Sequence, residues 1–112
     1  MVRRNPLLEA PPYPVEQAIK RLGNNLRTAR IRRQLTIEQV AETIGTGPRA
    51  VMDAEKGKAS TTIGVYAALL WAYDLLQLGD LADPTMDKQG LKFAAAKEKV
   101  RARSSGGLNN DF

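Results

Sequence analysis

Thr36-Ile37-Glu38-Gln39-Val40-Ala41-Glu42-Thr43-Ile44-Gly45-Thr46-Gly47-Pro48-Arg49-Ala50-Val51-Met52-Asp53-Ala54-Glu55-Lys56-Gly57 is the stretch whose reading decides the fold. Ile37, Val40, Ala41 and Ile44 recur at three- and four-residue steps, which is the buried stripe of a short amphipathic helix. Thr36 stands before that stripe with Gln39 three residues on, the pattern of a capping box. Gly45-Thr46-Gly47 breaks the helix. Pro48 then suits a first helical position, because its missing N–H is not needed there, with Gly47 or Thr46 as cap. The second helix turns Val51, Ala54 and Glu55 one way and Arg49, Ala50 and Asp53 the other. Gly57 is its stop signal.

Two helices of about nine residues joined by a tight glycine-containing turn are the sequence form of a helix-turn-helix, whose second helix fits a DNA major groove. The spacing predicts a chain that binds double-stranded DNA. The charge distribution agrees with a polyanionic partner, since each neutralised phosphate releases counterions. Of the 112 residues, 17 are Lys or Arg and 12 are Asp or Glu, for a net charge of +5. Residues 1–48 hold eight basic and four acidic side chains, residues 87–103 hold six and two, and the stretch between is slightly acidic.

The chain has no cysteine and no histidine. That excludes disulfides, zinc-finger ligand sets, thiol nucleophiles and imidazole acid–base chemistry. The carboxylates are scattered and there is no glycine-rich phosphate loop, so the expectation is a protein that is not an enzyme and takes no metal or cofactor. No apolar run has the length of a membrane span, and the first thirty residues lack a signal-peptide core. A soluble, cytoplasmic, nucleoid-associated protein is expected.

Outward from the central stretch the reading is all-α. Residues 1–14 carry four of the six prolines, including Pro11, Pro12 and Pro14, and are expected to be an extended arm without helix. A first helix starts after Pro14, with Glu16 near its positive end and Ile19, Leu22, Leu26 and Ala29 as its buried stripe. Ser60-Thr61-Thr62 are cap residues for a fourth helix expected to pack through Ile63, Ala67, Leu70 and Trp71. Leu75, Leu76, Leu78 and Leu81 suggest a fifth short helix before the Asp83-Pro84 break. The domain division expected is an arm at 1–14, a compact five-helix DNA-binding domain at 15–83 and a basic tail at 84–112. If residues 87–103 are helical, Lys88, Lys92, Lys99 and Arg103 fall within about one sixth of the circumference at 100° per residue, beside an apolar stripe of Phe93, Ala96 and Val100. Phe112 ends a Ser/Gly/Asn-rich segment.

These residues resemble the Xre/Cro type of helix-turn-helix protein over roughly residues 16–82. The matching positions are Leu22-Gly23, Leu26-Arg27, Ala29-Arg30, Leu35-Thr36, Val40-Ala41, Ile44-Gly45, Val51 and Glu55-Lys56-Gly57. The resemblance implies a lambda-repressor-like five-helix bundle that binds its operator as a two-fold homodimer. It also implies that Arg30 and Glu55 form the ion pair tying the first helix to the third, a scaffold role. The flanks, with Leu70-Trp71-Ala72, Leu81-Ala82-Asp83-Pro84, Gly90-Leu91, Val100-Arg101 and a terminal Asp111-Phe112, look like HipB-type antitoxins. That resemblance implies an autorepressor that neutralises a HipA-type kinase toxin.

Ile37 stands where the family commonly has glutamine, and Asp53 stands at an outward position that often reads a base. A carboxylate there is unfavourable near phosphates unless it accepts from a cytosine N4 amine. Pro48 offers only apolar contact, and Ala50 suits a thymine methyl. Base reading is therefore expected of Arg49 above all, with Ala50, Pro48 and Asp53 beside it. Phosphate contacts are expected at the start of the second helix (Thr36, Ile37), at Lys56 and Lys58, at Ser60, Thr61 and Thr62, and at Arg27. Phe93, Val100 and Phe112 are candidate partner anchors. Two alternatives stay open at this point: a solitary regulator without a toxin partner, and an interaction module whose DNA binding is vestigial.

Overall fold

The computed structural model describes residues 4–104, with side chains as far as residue 102, and every regular element among them is helical. Six α-helices run in order: α1 (Pro6–Glu9), α2 (Tyr13–Arg32), α3 (Ile37–Ile44), α4 (Pro48–Glu55), α5 (Ile63–Ala72) and α6 (Lys88–Ser104). Two short 3-10 turns, Leu78–Asp80 and Pro84–Met86, lie between α5 and α6. The all-α expectation holds. The chain divides into two compact units between Leu76 and Gln77.

In the first unit α4 is the central element, packed against α2, α3 and α5, while α3 also packs on α5. The core is built from Leu26 and Ala29 of α2, Val40 and Ala41 of α3, Val51 and Ala54 of α4, and Tyr66, Leu69 and Tyr73 at α5. Ile19, Leu22, Ile37 and Ile44 pack around its edge, so the stripes read from periodicity in α2 and α3 do face inward.

Two glycines let α2 and α4 approach. A Cβ on Gly23 would lie 2.5 Å from the Ala54 carbonyl oxygen, and one on Gly57 would lie 2.5 Å from the Lys20 Cα. Gly57 also has φ of +70°, a left-handed conformation that costs a side chain energy. The turn between α3 and α4 depends on Gly45 in the same region, φ 81°, whose N–H donates to the Ala41 and Glu42 carbonyls. Thr46 N–H adds a bond to Ala41 O at 2.9 Å, which closes the helix end as a paired-carbonyl cap.

Three sequence expectations need correction. The proline-rich arm is not wholly extended: α1 forms one helical turn because Pro6 takes the first position and Asn5 Oδ1 accepts from Leu7 N–H at 3.1 Å. Likewise α2 starts at Tyr13 and carries Pro14 in its first turn, where no intrahelical N–H is required. The fourth predicted helix keeps Leu70 against the core but buries a different set of residues beside it. Ile63 is 72% exposed and Trp71 62%, while Tyr66, Leu69 and Tyr73 are buried. The segment Ile63-Gly64-Val65-Tyr66-Ala67-Ala68-Leu69-Leu70-Trp71-Ala72 is apolar almost all round, so its period cannot choose a side. The fifth predicted helix is replaced by the 3-10 turn at Leu78–Asp80, with Leu75, Leu76 and Leu81 exposed.

In the second unit, Asp83 Oδ1 accepts from Thr85 N–H at 2.9 Å and from the Thr85 hydroxyl at 2.8 Å, which organises the turn after the Asp-Pro break. Asp87 caps α6 by accepting from Gly90 N–H at 3.0 Å. Residues 91–102 are all exposed, the apolar stripe of Phe93, Ala96 and Val100 included. Phe112, named above as a partner anchor, lies outside the described residues.

Candidate nucleic-acid interface

The helix-turn-helix is set at both ends of α3 by local chemistry. Thr36 Oγ1 accepts from Gln39 N–H at 3.0 Å, and Gln39 Oε1 accepts from Thr36 N–H at 2.8 Å. This reciprocal cap engages two of the donors at the start of α3, so the anion-seeking groups there are the Ile37 and Glu38 N–H. The Ile37 side chain itself packs against the core edge. Thr36 is exposed beside it.

Helix α4 begins at Pro48 with Gly47 as a cap that makes no side-chain bond. Val51 and Ala54 are fully buried, which aims the opposite side of the helix outward. Pro48 and Arg49 are exposed, with Ala50 half-buried between them and the core. The Arg49 side chain is 78% exposed and Asp53, one turn further on, is 25% exposed. Asp53 does not stand alone. Its Oδ1 lies 3.5 Å from Arg49 Nε and 3.2 Å from Lys58 Nζ, and that oxygen is closed to solvent without an aligned hydrogen bond. The three charges of this cluster come together because Lys58 N–H donates to the Asp53 carbonyl at 3.2 Å, which folds the chain back along α4 after Gly57.

The loop after α4 is pinned from below. Tyr66 donates its hydroxyl to the Lys58 carbonyl at 2.8 Å. The Tyr66 pKa is raised, first by burial and further by the Asp53 charge, against a lowering by the Thr61 hydroxyl beside it. Thr61 therefore turns its hydroxyl inward, and its N–H donates to the Lys58 carbonyl at 3.1 Å. Among the three cap residues proposed for phosphate contact, Ser60 and Thr62 are the exposed ones, with Thr62 as the N-cap of α5. Lys56, the C-cap of α4, is exposed, as is Arg27 on α2.

Beneath this surface, Arg30 and Glu55 form a bidentate pair. Arg30 Nε donates to Glu55 Oε2 at 2.7 Å and Nη2 to Oε1 at 3.0 Å, while Nη1 donates to the Leu35 carbonyl at 2.9 Å. Only 12% of the Arg30 side chain and 7% of Glu55 remain exposed. The Glu55 hydrogen bonds are the main reason the Arg30 pKa is raised, against the opposing effect of burial. One guanidinium thus joins α2, the α2–α3 turn and α4 through a bond from each of its three nitrogens.

Two further contacts escaped the sequence reading. Arg33 Nη1 donates to the Ala29 carbonyl and Nη2 to the Tyr73 carbonyl, both at 3.0 Å, with its guanidinium 5.4 Å from the Tyr73 ring centre. A cation at the ends of α2 and α5 suits both helix dipoles. The only sequence signal was a basic residue in a helix's last turn. The Asp53–Lys58 pair was the second, and its five-residue spacing belongs to no helical rule because Gly57 reverses the chain between them.

Among the described residues no helix is long and apolar enough to cross a membrane. Residues 21–83, more than half of the chain, match a family model described as a helix-turn-helix domain. No curated protein and no solved structure matches the chain.

Proposed function

The chain belongs to the helix-turn-helix domain family, as a DNA-binding protein of Xre-like type, and on that premise we propose that it is a sequence-specific transcriptional repressor that reads its operator with the outer face of α4. The observation that carries this reading is Arg49. It is a long cationic side chain, exposed at the first turn of the helix that the motif assigns to the major groove. An arginine bidentate to a guanine edge contributes about 1–3 kcal/mol of discrimination. The exposed Pro48 and the edge of Ala50 add apolar contact. Phosphates are held by the N–H groups opening α3 and α5, by Lys56, Ser60 and Thr62, and at the margin by Arg27, while Lys58, also expected there from sequence, is paired with Asp53.

Arg49→Ala is the test. With duplexes selected from a randomised pool by the unaltered protein, the variant should lose about tenfold in preference for selected over random DNA, within the range of one bidentate base contact, and keep its melting temperature. Unchanged preference would remove Arg49 as the reader.

The repressor acts as a homodimer in this reading, because half-sites one DNA turn apart require two recognition helices. The exposed Ile63, Trp71, Leu75 and Leu76 supply apolar surface for the second copy. The role as antitoxin of a HipA-type kinase is the narrower part of the proposal, supported by the flank resemblance. Co-expression with the product of the adjacent gene, followed by co-purification and a kinase assay, decides it: a solitary regulator captures no kinase and silences none.

A further inference from the structure

The cluster on the outer face of α4 holds two cations on one carboxylate oxygen. Asp53 Oδ1 faces Arg49 Nε at 3.5 Å and Lys58 Nζ at 3.2 Å, and it is shut off from solvent beneath them. A carboxylate in a DNA-facing surface opposes phosphate binding, so its presence needs a compensating role. Its surroundings supply one. The carboxylate's closest approach to Arg49 is at Nε, the inner edge of the guanidinium, beyond which lie the two terminal nitrogens, the last atoms of a side chain that is 78% exposed. Those are the atoms that address guanine O6 and N7. The contact removes rotameric freedom from a side chain that is otherwise 78% exposed, so less ordering is left to be done on binding.

Lys58 is restrained in the same way. Its N–H is held by the Asp53 carbonyl and its carbonyl by the Tyr66 hydroxyl, which leaves the side chain as its movable part. That side chain reaches Asp53 while remaining 45% exposed.

We propose that Asp53 is a positioning residue for base recognition, which trades general DNA affinity for specificity by anchoring Arg49 through Nε and restraining Lys58. This rests on the reading of α4 as the recognition helix. It assigns Asp53 an effect exerted through Arg49, in place of direct contact with a cytosine.

The experiment compares the unaltered chain, Asp53→Asn, Arg49→Ala and the double variant on selected and random duplexes across a salt series. Asn preserves the shape of Asp53 and removes its charge. Asp53→Asn should bind random DNA more tightly, with a salt slope steeper by about one because Lys58 is released to a phosphate. Its preference for selected DNA should fall on the order of threefold to tenfold, as for coupled neighbours. In the Arg49→Ala background the same substitution should leave the preference unchanged, since nothing remains to be positioned.

Preference unchanged in Asp53→Asn overturns the proposal while leaving Arg49 as reader. Loss of preference that persists equally in the Arg49→Ala background, or a new base chosen at one site position, also overturns it, since Asp53 would then be reading DNA itself. An unaltered chain with no preference for selected DNA overturns the reading of α4 together with this proposal. Should Asp53→Asn melt well below the unaltered chain, Asp53→Glu is measured instead. Preference kept within about twofold supports charge-based anchoring, and loss equal to that of Arg49→Ala refutes it.

Discussion

Helix α4 carries two carboxylates two residues apart, and they have opposite surroundings. Glu55 faces inward, with its side chain 7% exposed and both oxygens bonded by Arg30. Asp53 faces outward, with cations that are 78% and 45% exposed. The same chemical group is therefore buried and paired on one side of the helix and bridged by exposed cations on the other. A buried, satisfied pair is costly to break because the surviving partner is left uncompensated, whereas an exposed pair is worth little to stability. On the proposed reading, what the outer pair governs is the placement of Arg49.

The largest expected effect tests the inner side. Glu55→Ala should destabilise the first unit by about 3–5 kcal/mol, because it strands the Arg30 guanidinium in a buried site. Thermal melting measures it, and DNA binding below the lowered transition should keep its sequence preference. A variant that melts normally yet has lost all DNA binding would erase the contrast between the two faces.

Two positions along, Gly57 extends the inner comparison into the backbone. Gly57→Ala places a Cβ 2.5 Å from the Lys20 Cα at a residue with φ of +70°. A loss of about 1–3 kcal/mol follows from left-handed strain alone, with the clash adding to it. Chemical denaturation reads this directly. A neutral substitution would mean that α2 and α4 can separate without penalty.

Lys56 lies between these two inner residues in sequence but is exposed. Lys56→Ala should leave stability within about 0.5 kcal/mol, as surface substitutions do, while weakening selected and random DNA alike and flattening the salt slope by about one. A shift in sequence preference at constant slope would place Lys56 with the base readers.

The smallest effect concerns a third carboxylate, partly exposed and in none of the ion pairs among the described residues. Asp83 has its pKa lowered by hydrogen bonds from the Thr85 N–H and hydroxyl. A lowered folded-state value means that its contribution is complete above the ordinary carboxylate range. It disappears as pH falls through the lower folded value. The Thr85 amide resonance should report release of the turn in acid, with the first unit still folded. Simultaneous loss of both would tie the turn to the core.

Much of the motif was legible because its determinants are local. The Thr36 and Gln39 cap, the Gly45 turn, Pro48 at a helix start and the stripes of α2 and α3 each involve residues within four positions of one another. The outward direction of Arg49 followed from Val51 and Ala54 facing in. The arm was misread because proline was treated as a breaker, although at Pro6 and Pro14 it occupies first-turn positions where an absent N–H is tolerated. The face of α5 was misread because every side of it is apolar, and the proposed fifth helix because a run of leucines was taken as a packed stripe.

By itself the sequence determined the all-α class, the position of the helix-turn-helix and the residues that face outward at the start of α4. These depend on propensity, capping and period, which act over one or two turns of chain. The tertiary structure alone decided that Tyr66, Leu69 and Tyr73, rather than Ile63 and Trp71, enter the core. It alone brought Lys58 back to Asp53 and carried Arg33 across to the end of α5. Those outcomes depend on how closely whole helices approach, which here is set by Gly23 and Gly57 between α2 and α4. No local pattern encodes the distance between surfaces that meet only when the chain has folded.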